Sequence, residues 1–167
     1  DAIHRHIERE LNRARIAGDS QAATAIDLAA ELDSLVRVLQ TIHADKALHI
    51  DCNVPDVLLH FDREDLLAVL GNLLDNACKW ARRTVRIDIA VKDRLEMLIE
   101  DDGPGCNDEV LSQLTQRGLR LDESVQGHGL GLGIVADAVE QYHGDLQFRR
   151  SVRLGGLLVA VGIPHAN

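Results

Sequence analysis

The sequence predicts a two-layer α/β sandwich in which helices cover one face of a mixed β-sheet. Apolar residues recur at helical spacing in several long segments, and other segments alternate apolar with polar residues as half-buried strands do. Helical and strand segments are interleaved along the chain, and two adjacent strands form a hairpin, so the sheet is expected to contain antiparallel as well as parallel neighbours.

Composition limits the functions that the chain can have. With 167 residues, 46% of them hydrophobic and 27% charged, it is typical of one globular domain, and 2% aromatic residues predict an aliphatic core. The net charge of −9 argues against binding to a nucleic-acid backbone or an anionic membrane surface. The three cysteines show no paired spacing, which predicts neither a disulfide framework nor a structural zinc site.

The first residues are expected to lie outside the main domain. Residues 1–18 carry a narrow apolar stripe and end at Gly18, which predicts one amphipathic helix that needs a partner helix. Residues 19–23 are small and polar and are interpreted as a linker. The main domain is therefore predicted over residues 24–167.

Two helices of that domain have clear start signals. Asp27 is a predicted N-cap for a helix ending near Ala44, and Asp62 is a predicted N-cap for a helix running to about Arg82. A third helix follows a glycine-rich segment and ends at Gly144. The loop 101–128 is expected to hold at most a short helical turn. The predicted strands cover residues 48–52, 57–61, 85–91, 95–99, 146–148 and 157–163.

Three polar side chains share one face of the helix that follows Asp62. Asn72, Asn76 and Lys79 are spaced i, i+4 and i+7, opposite the leucines. Amide oxygens can complete the coordination of a Mg²⁺ that also binds water and phosphate oxygens, and a lysine supplies a point charge for phosphate. A solvated polar face explains the same spacing, so both interpretations stay open for this motif alone.

Two glycine-containing motifs follow. In EDDGPG, residues 100–105, a carboxylate can accept a hydrogen bond from an exocyclic amine, and glycine lets the backbone approach a flat ligand; the same letters are typical of an ordinary turn. In GHGLGLGIV, residues 127–135, successive N–H groups at a helix start can bind phosphate, although a flexible hinge would look alike. Neither a Walker A nor a dinucleotide fingerprint is present.

The order and spacing of the three motifs favour one interpretation, because three accidents in this order are improbable. Over residues 24–164 the chain resembles the catalytic and ATP-binding domain of bacterial two-component sensor histidine kinases, in the GHKL superfamily. GNLLDNACKW (71–80) is similar to the N box, EDDGPG to the G1 box and GHGLGLGIV to the G2 box. The first two, with QRGLRLD (116–122), resemble the PhoQ-like subgroup. The resemblance implies a Bergerat-type fold with a left-handed βαβ unit.

The resemblance also implies ATP and Mg²⁺ as cofactors and assigns residues to them. Asp101 would bind the adenine amine, with Gly103 and Gly105 lining the base pocket. Asn76, assisted by Asn72, would hold Mg²⁺, and residues 106–128 would form a lid over the nucleotide. The other implied residues are Lys79 and Arg117 for phosphate, Trp80 for adenine or for packing at the helix end, and Gly127, His128, Gly129, Leu130 and Gly131 for the phosphates.

Partners follow from the same resemblance. Residues 1–18 would end the second helix of a dimerisation and histidine-phosphotransfer domain, which makes a homodimer of the full-length protein. The γ-phosphate would pass to a histidine there and then to a response-regulator receiver domain, at the cytoplasmic side of an inner-membrane sensor. His4 and His6 lack the phosphoacceptor motif. The chain alone is therefore expected to bind ATP without phosphorylating itself.

Two rival functions are weighed against this one. The chain could be another GHKL kinase or ATPase, or a nucleotide-binding module without catalysis. ATP-hydrolysing relatives of the superfamily carry a glutamate four residues before the Mg²⁺-binding asparagine, where it activates water. This chain has Asn72 there, and an amide cannot take the proton. The resemblance therefore implies slow hydrolysis and a kinase role.

Overall fold

The computed structural model describes residues 25–111 and 129–164, and these form the predicted two-layer α/β sandwich. The helices are α1 (Leu28–Ile42), α2 (Arg63–Trp80) and α3 (Gly129–Gln141). The strands are β1 (Ala25–Asp27), β2 (His49–Asn53), β3 (Leu58–His60), β4 (Thr84–Val91), β5 (Arg94–Asp101), β6 (Asp145–Arg150) and β7 (Leu157–Pro164). The predicted helix 1–18 and linker lie outside the described residues.

The main sheet has five strands in the order β2-β4-β5-β7-β6, with β2 and β6 at its edges. The pair β2–β4 is parallel and the other three pairs are antiparallel, which confirms the mixed sheet. The register places Ile87 opposite Ile99, and Ile99 opposite Val159, so the apolar positions align across three strands. These side chains are buried on the helix-covered face.

The core is aliphatic, as the composition predicts. Leucines of α2 are almost completely buried and pack in one cluster with the inward side chains of the sheet and of α3. The fully buried ones on α2 are Leu66, Leu70, Leu73 and Leu74. Their burial sets the amide-bearing face of α2 away from the sheet, because residues three and four apart share one side of a helix.

Two aromatic residues fix how α3 lies on α2. The rings of Phe61 and Tyr142 stack at 4.5 Å between centroids, and the Tyr142 hydroxyl donates a 2.6 Å hydrogen bond to Asp65. The end of α3 therefore lies at the start of α2, and the two helices run in opposite directions. This arrangement brings the glycine-rich start of α3 alongside the second half of α2.

Both predicted N-caps are confirmed. The Asp27 carboxylate accepts from the backbone N–H of Ala30 at 3.0 Å, and the Asp62 carboxylate accepts from Glu64 at 2.9 Å and Asp65 at 3.1 Å. These bonds satisfy N–H groups that have no partner inside the helix.

The helix ends differ from the prediction. The first helix ends at Ile42 instead of near Ala44, and a 3₁₀ turn over Ala44–Lys46 follows. The second ends at Trp80 instead of near Arg82, because the backbone N–H groups of Arg82 and Arg83 donate to the Asp102 carboxylate and no longer to helix carbonyls. Strand β1, which pairs with β3, was not predicted.

Candidate nucleotide site

The ends of α2 and β5 meet in what we call the α2–β5 corner, residues 79–83 and 101–105. The Asp102 carboxylate accepts from Arg82 N–H at 2.8 Å and from Arg83 N–H at 3.0 Å. A Cβ at Gly103 would overlap the Trp80 carbonyl oxygen. Only glycine therefore lets the turn after β5 approach the end of α2 this closely.

Asp101 is a buried carboxylate in this corner, with only 2% of its surface exposed. Its Oδ1 atom accepts from Gly103 N–H at 2.8 Å and, more weakly, from Leu157 N–H at 3.4 Å. Burial raises the pKa of Asp101, and the backbone hydrogen bonds offset that effect only in part. Within residues 25–111 and 129–164 it forms no ion pair.

The pKa of the adjacent Asp102 carboxyl is shifted in the opposite direction. Burial would raise its pKa, but hydrogen bonds from the backbone N–H groups of Arg83, Thr84 and Arg82 stabilise its charged form, and the net pKa is lowered. Only the first acid of the pair was predicted to have a role. In the structure, the Asp102 carboxylate connects the end of α2 to the turn after β5.

The loop between β6 and β7 packs against Asp101. Gly156 N–H donates to the Asp101 carbonyl at 3.1 Å, and a Cβ at Gly156 would overlap the Asp101 carboxylate. Gly105 has a φ of +69°, and a Cβ there would stand 3.3 Å from the Gly156 carbonyl carbon. The predicted Gly103 and Gly105 thus lie with Gly156, a residue for which no role was predicted.

A buried polar pair shapes that loop. The Ser151 hydroxyl donates to Glu100 at 2.6 Å and accepts from Leu154 N–H at 2.9 Å. Ser151 and Glu100 are 2% and 6% exposed. Their contact lies next to Asp101 along β5 and was not predicted, because no local pattern joins residues 51 positions apart.

The amide-bearing face of α2 lies against α3. The Asn72 Nδ2 donates to the Ala68 carbonyl at 2.7 Å, which fixes the orientation of the amide group. Its Oδ1 is directed to the first turn of α3, where a Cβ at Gly131 would stand only 2.9 Å from it. Asn76 lies one turn further along the same face of α2 and is half-buried.

Lys79 and Trp80 complete this side of the site at the end of α2. The Lys79 Nζ lies 5.7 Å from the centroid of the Trp80 ring, within the range of a cation–π contact. Lys79 is exposed and Trp80 is half-buried. The structure therefore brings Lys79, Trp80, Asp101 and Gly103 into the same corner.

Helix α3 supplies backbone donors opposite that face. It begins at Gly129, so Gly129, Leu130 and Gly131 lie in its first turn, where backbone N–H groups have no acceptor inside the helix. Such N–H groups attract anions. Arg117, Gly127 and His128, also predicted at the site, lie outside the described residues.

Solved structures of similar shape identify the fold. The mycobacterial sensor histidine kinase MprB superposes with a TM-score of 0.69 at 23% identity, over 86% of this chain and 97% of that chain. The chain thus shares the fold of that sensor histidine kinase, as predicted from its motifs. No helix among residues 25–111 and 129–164 is long and apolar enough to cross a bilayer.

Sequence comparisons agree with the fold. The chain belongs to the histidine kinase-, DNA gyrase B- and HSP90-like ATPase family, whose model matches residues 61–167. It is 45% identical to the sensor protein kinase CarS of Pseudomonas aeruginosa over 98% of this chain and 37% of that protein. It is 32% identical to the sensor protein PhoQ of Escherichia coli over 95% of this chain and 33% of that protein. The chain thus spans about a third of these relatives.

Proposed function

We propose that this chain binds ATP with Mg²⁺ and supplies the γ-phosphate to a histidine of a dimerisation and histidine-phosphotransfer domain, from which it passes to a response-regulator aspartate. The proposal rests mainly on the burial of the Asp101 carboxylate. A buried carboxylate without an ion-pair partner among the described residues costs folding free energy, and such groups are kept where they bind a ligand. The glycines around it let the backbone approach the carboxylate closely.

The geometry of the corner supports the base contacts. Asp101 would accept a hydrogen bond from the adenine amine, since both of its described side-chain hydrogen bonds fall on Oδ1. Gly103 and Gly105 would face the base, and Trp80 would pack on it from the end of α2. Lys79, on the same corner, would contact phosphate.

Phosphate contacts would come from α3 and from the segment before it. The first-turn N–H groups of Gly129, Leu130 and Gly131 point out of the helix start, and Gly127 and His128 would extend this series. Arg117 would neutralise charge on the γ-phosphate. In phosphoryl transfer, such positioning and charge neutralisation supply most of the catalysis.

The donor set on α2 fits Mg²⁺. Asn76 and Asn72 offer neutral amide oxygens, the hard ligands that Mg²⁺ prefers beside water and phosphate. The Asn72 amide is oriented by its bond to the Ala68 carbonyl, so Oδ1 is directed to the side that faces α3. When bound, Mg²⁺ would reduce the negative charge of the phosphates.

The kinase role is favoured over hydrolysis by Asn72. Its amide is already a donor to the Ala68 carbonyl and cannot act as a general base for water. A histidine imidazole supplied by another domain needs no such base, because the neutral ring is itself a nucleophile.

The larger context is part of the proposal. We infer that residues 1–18 end the second helix of the dimerisation domain, that residues 19–23 are a linker, and that residues 24–167 are the catalytic domain. The similar proteins are sensor kinases by name. The chain would accordingly work as the cytoplasmic part of a dimeric inner-membrane sensor.

Calorimetry with Mg²⁺ and ATP tests the site. Asp101→Ala and Asn76→Ala are each expected to abolish measurable binding, because one removes the base acceptor and the other a metal ligand. Asp93→Ala, on the exposed β4–β5 turn, and Asn53→Ala, on the edge strand β2, are the matched controls and should bind like the wild type. Unchanged affinity in both site variants would overturn the assignment.

A further inference from the structure

The end of α2 is held by a lysine from another part of the chain. The last turn of any α-helix has carbonyl groups without N–H partners inside the helix. In α2, the Lys46 ammonium donates to the carbonyls of Cys78 at 3.0 Å and Ala81 at 3.3 Å, and also to the carbonyl of Lys79. An ammonium has three donors, so these contacts account for all of them.

The Lys46 backbone is fixed along the helix end. Lys46 is the last residue of the 3₁₀ turn Ala44–Lys46, and its N–H donates to the His43 carbonyl at 3.0 Å. Ala47 then adopts a φ of +48°, which turns the chain into β2. His49 N–H donates to the Arg83 carbonyl at 2.7 Å. The segment 43–49 therefore runs alongside the residues that terminate α2.

Lys46 and Asp102 together replace two hydrogen bonds of a continuing helix. In an α-helix, Arg82 N–H would donate to the Cys78 carbonyl and Arg83 N–H to the Lys79 carbonyl. Here Lys46 occupies both carbonyls, and the Asp102 carboxylate occupies both N–H groups. This exchange explains why α2 stops at Trp80 although the sequence pattern continues to about Arg82.

The exchange matters because the last two residues of α2 belong to the nucleotide site. The Lys79 carbonyl is bonded to Lys46, and the Trp80 carbonyl lies against Gly103. These contacts therefore hold the backbone from which the Lys79 and Trp80 side chains project. If α2 continued by one turn, the carbonyls of Cys78 and Lys79 would accept from helix N–H groups instead of from Lys46.

We propose that Lys46 is a positioning residue of the nucleotide site. Its ammonium ends α2 at Trp80 and so presents Lys79 and Trp80 to ATP. It acts through these residues, since its donors are directed at the helix carbonyls. The positive charge also opposes the negative end of the helix dipole. The inference rests on the proposed ATP binding and adds a residue remote from the sequence motifs.

Four chains test it: the wild type, Lys46→Met, Lys46→Arg and the control Lys92→Met on the exposed β4–β5 turn. Methionine keeps the length of the side chain and removes the charge and the donors, whereas arginine keeps both. The affinity for Mg²⁺ and ATP is measured by calorimetry. The emission of Trp80, the single tryptophan, is measured without nucleotide, in folded protein well below the unfolding temperature.

Lys46→Met is expected to weaken ATP binding about tenfold and to move the Trp80 emission to longer wavelength, because the helix end loses its charge and its cap. Lys46→Arg should restore both readouts in large part, and Lys92→Met should match the wild type. A purely structural role would lower the unfolding temperature without moving the Trp80 emission of the folded protein.

Each other result counts against the proposal. If the wild type binds ATP and Lys46→Met matches it within about twofold in affinity with unchanged emission, the positioning role is wrong and the ATP site stands. If the wild type does not bind ATP, the proposed function fails and the inference fails with it. If Lys46→Met does not fold, Lys46→Gln, which keeps an amide donor, takes its place under the same criteria.

Discussion

Asp101 and Asp102 are neighbouring carboxyls that the fold uses in opposite ways. Asp101 is buried with a raised pKa, and Asp102 has a lowered pKa because it accepts backbone hydrogen bonds at the end of α2. Ionised Asp101 therefore opposes folding, whereas ionised Asp102 supports it. The contrast fits the proposed binding role of Asp101, whereas Asp102 connects the end of α2 to the turn after β5.

Asp101→Asn should separate stability from binding. The amide can still accept from Gly103 and Leu157, but it carries no buried charge, so the variant should be at least as stable as the wild type at pH 7. It would present a donor to the adenine amine, and ATP affinity should fall about ten- to hundredfold. Thermal unfolding and calorimetry measure the two effects.

The sign of the pH dependence follows from the raised pKa of Asp101. The wild type bears no charge penalty below the ordinary carboxyl range, and the penalty develops as the pH rises through the folded-state pKa. The stability advantage of Asp101→Asn should thus grow from pH 4 to pH 7. An advantage that is constant over this range would contradict the buried-charge argument.

Local sequence motifs predicted only some of the residues in the candidate site. Asp101, Gly103 and Gly105 were predicted because they stand together in one motif. Gly156 was missed because its contact with Asp101 depends on β5 lying beside β7, where the Leu157 N–H meets the Asp101 carboxylate across 56 positions. Lys46 was missed for the same reason, since only the folded chain brings it to α2.

At the scale of elements, two glycines of α3 make a matched pair. A Cβ at Gly133 would meet nothing within 4 Å, whereas one at Gly131 would stand 2.9 Å from Asn72 Oδ1. Gly133→Ala should stabilise the protein by about 1 kcal/mol through helix propensity alone. Gly131→Ala should not gain this stability and should weaken ATP binding. The added methyl group would press on Asn72 Oδ1, and the bond to the Ala68 carbonyl holds that amide in place.

Unfolding measured with and without Mg²⁺ and ATP compares the two variants directly. Gly133→Ala should retain the stabilisation that nucleotide gives to the wild type, and Gly131→Ala should retain less of it. Equal stability and equal nucleotide effects in both variants would mean that the contact between α3 and Asn72 is unimportant.

Elements were predictable where their signals are local. The caps Asp27 and Asp62 and the β4–β5 hairpin were found from residue types and alternation, and the structure confirms them. Strand β1 was not found, because three residues are too few to show a period and the strand is formed by pairing with β3. The end of α2 was misplaced because a distant carboxylate and a distant ammonium terminate it.

For the molecule as a whole, the expected activity is transfer to a partner domain, with little hydrolysis. With Asn72 in place of a general base, phosphate release from ATP should stay below about 1 s⁻¹, the lower end of ordinary enzyme turnover. The chain incubated alone with labelled ATP should carry no label. Labelled phosphate on His4 or His6, or rapid phosphate release, would contradict this expectation.

The two edges of the five-stranded sheet bear on how copies of the molecule associate. Strand β6 has Arg149 and Arg150 exposed, and β2 exposes Asp51. Charged side chains on edge strands discourage another strand from joining the sheet. These charges therefore protect two copies of the described region against edge-to-edge aggregation at high concentration, and leave self-association to surfaces other than the sheet edges.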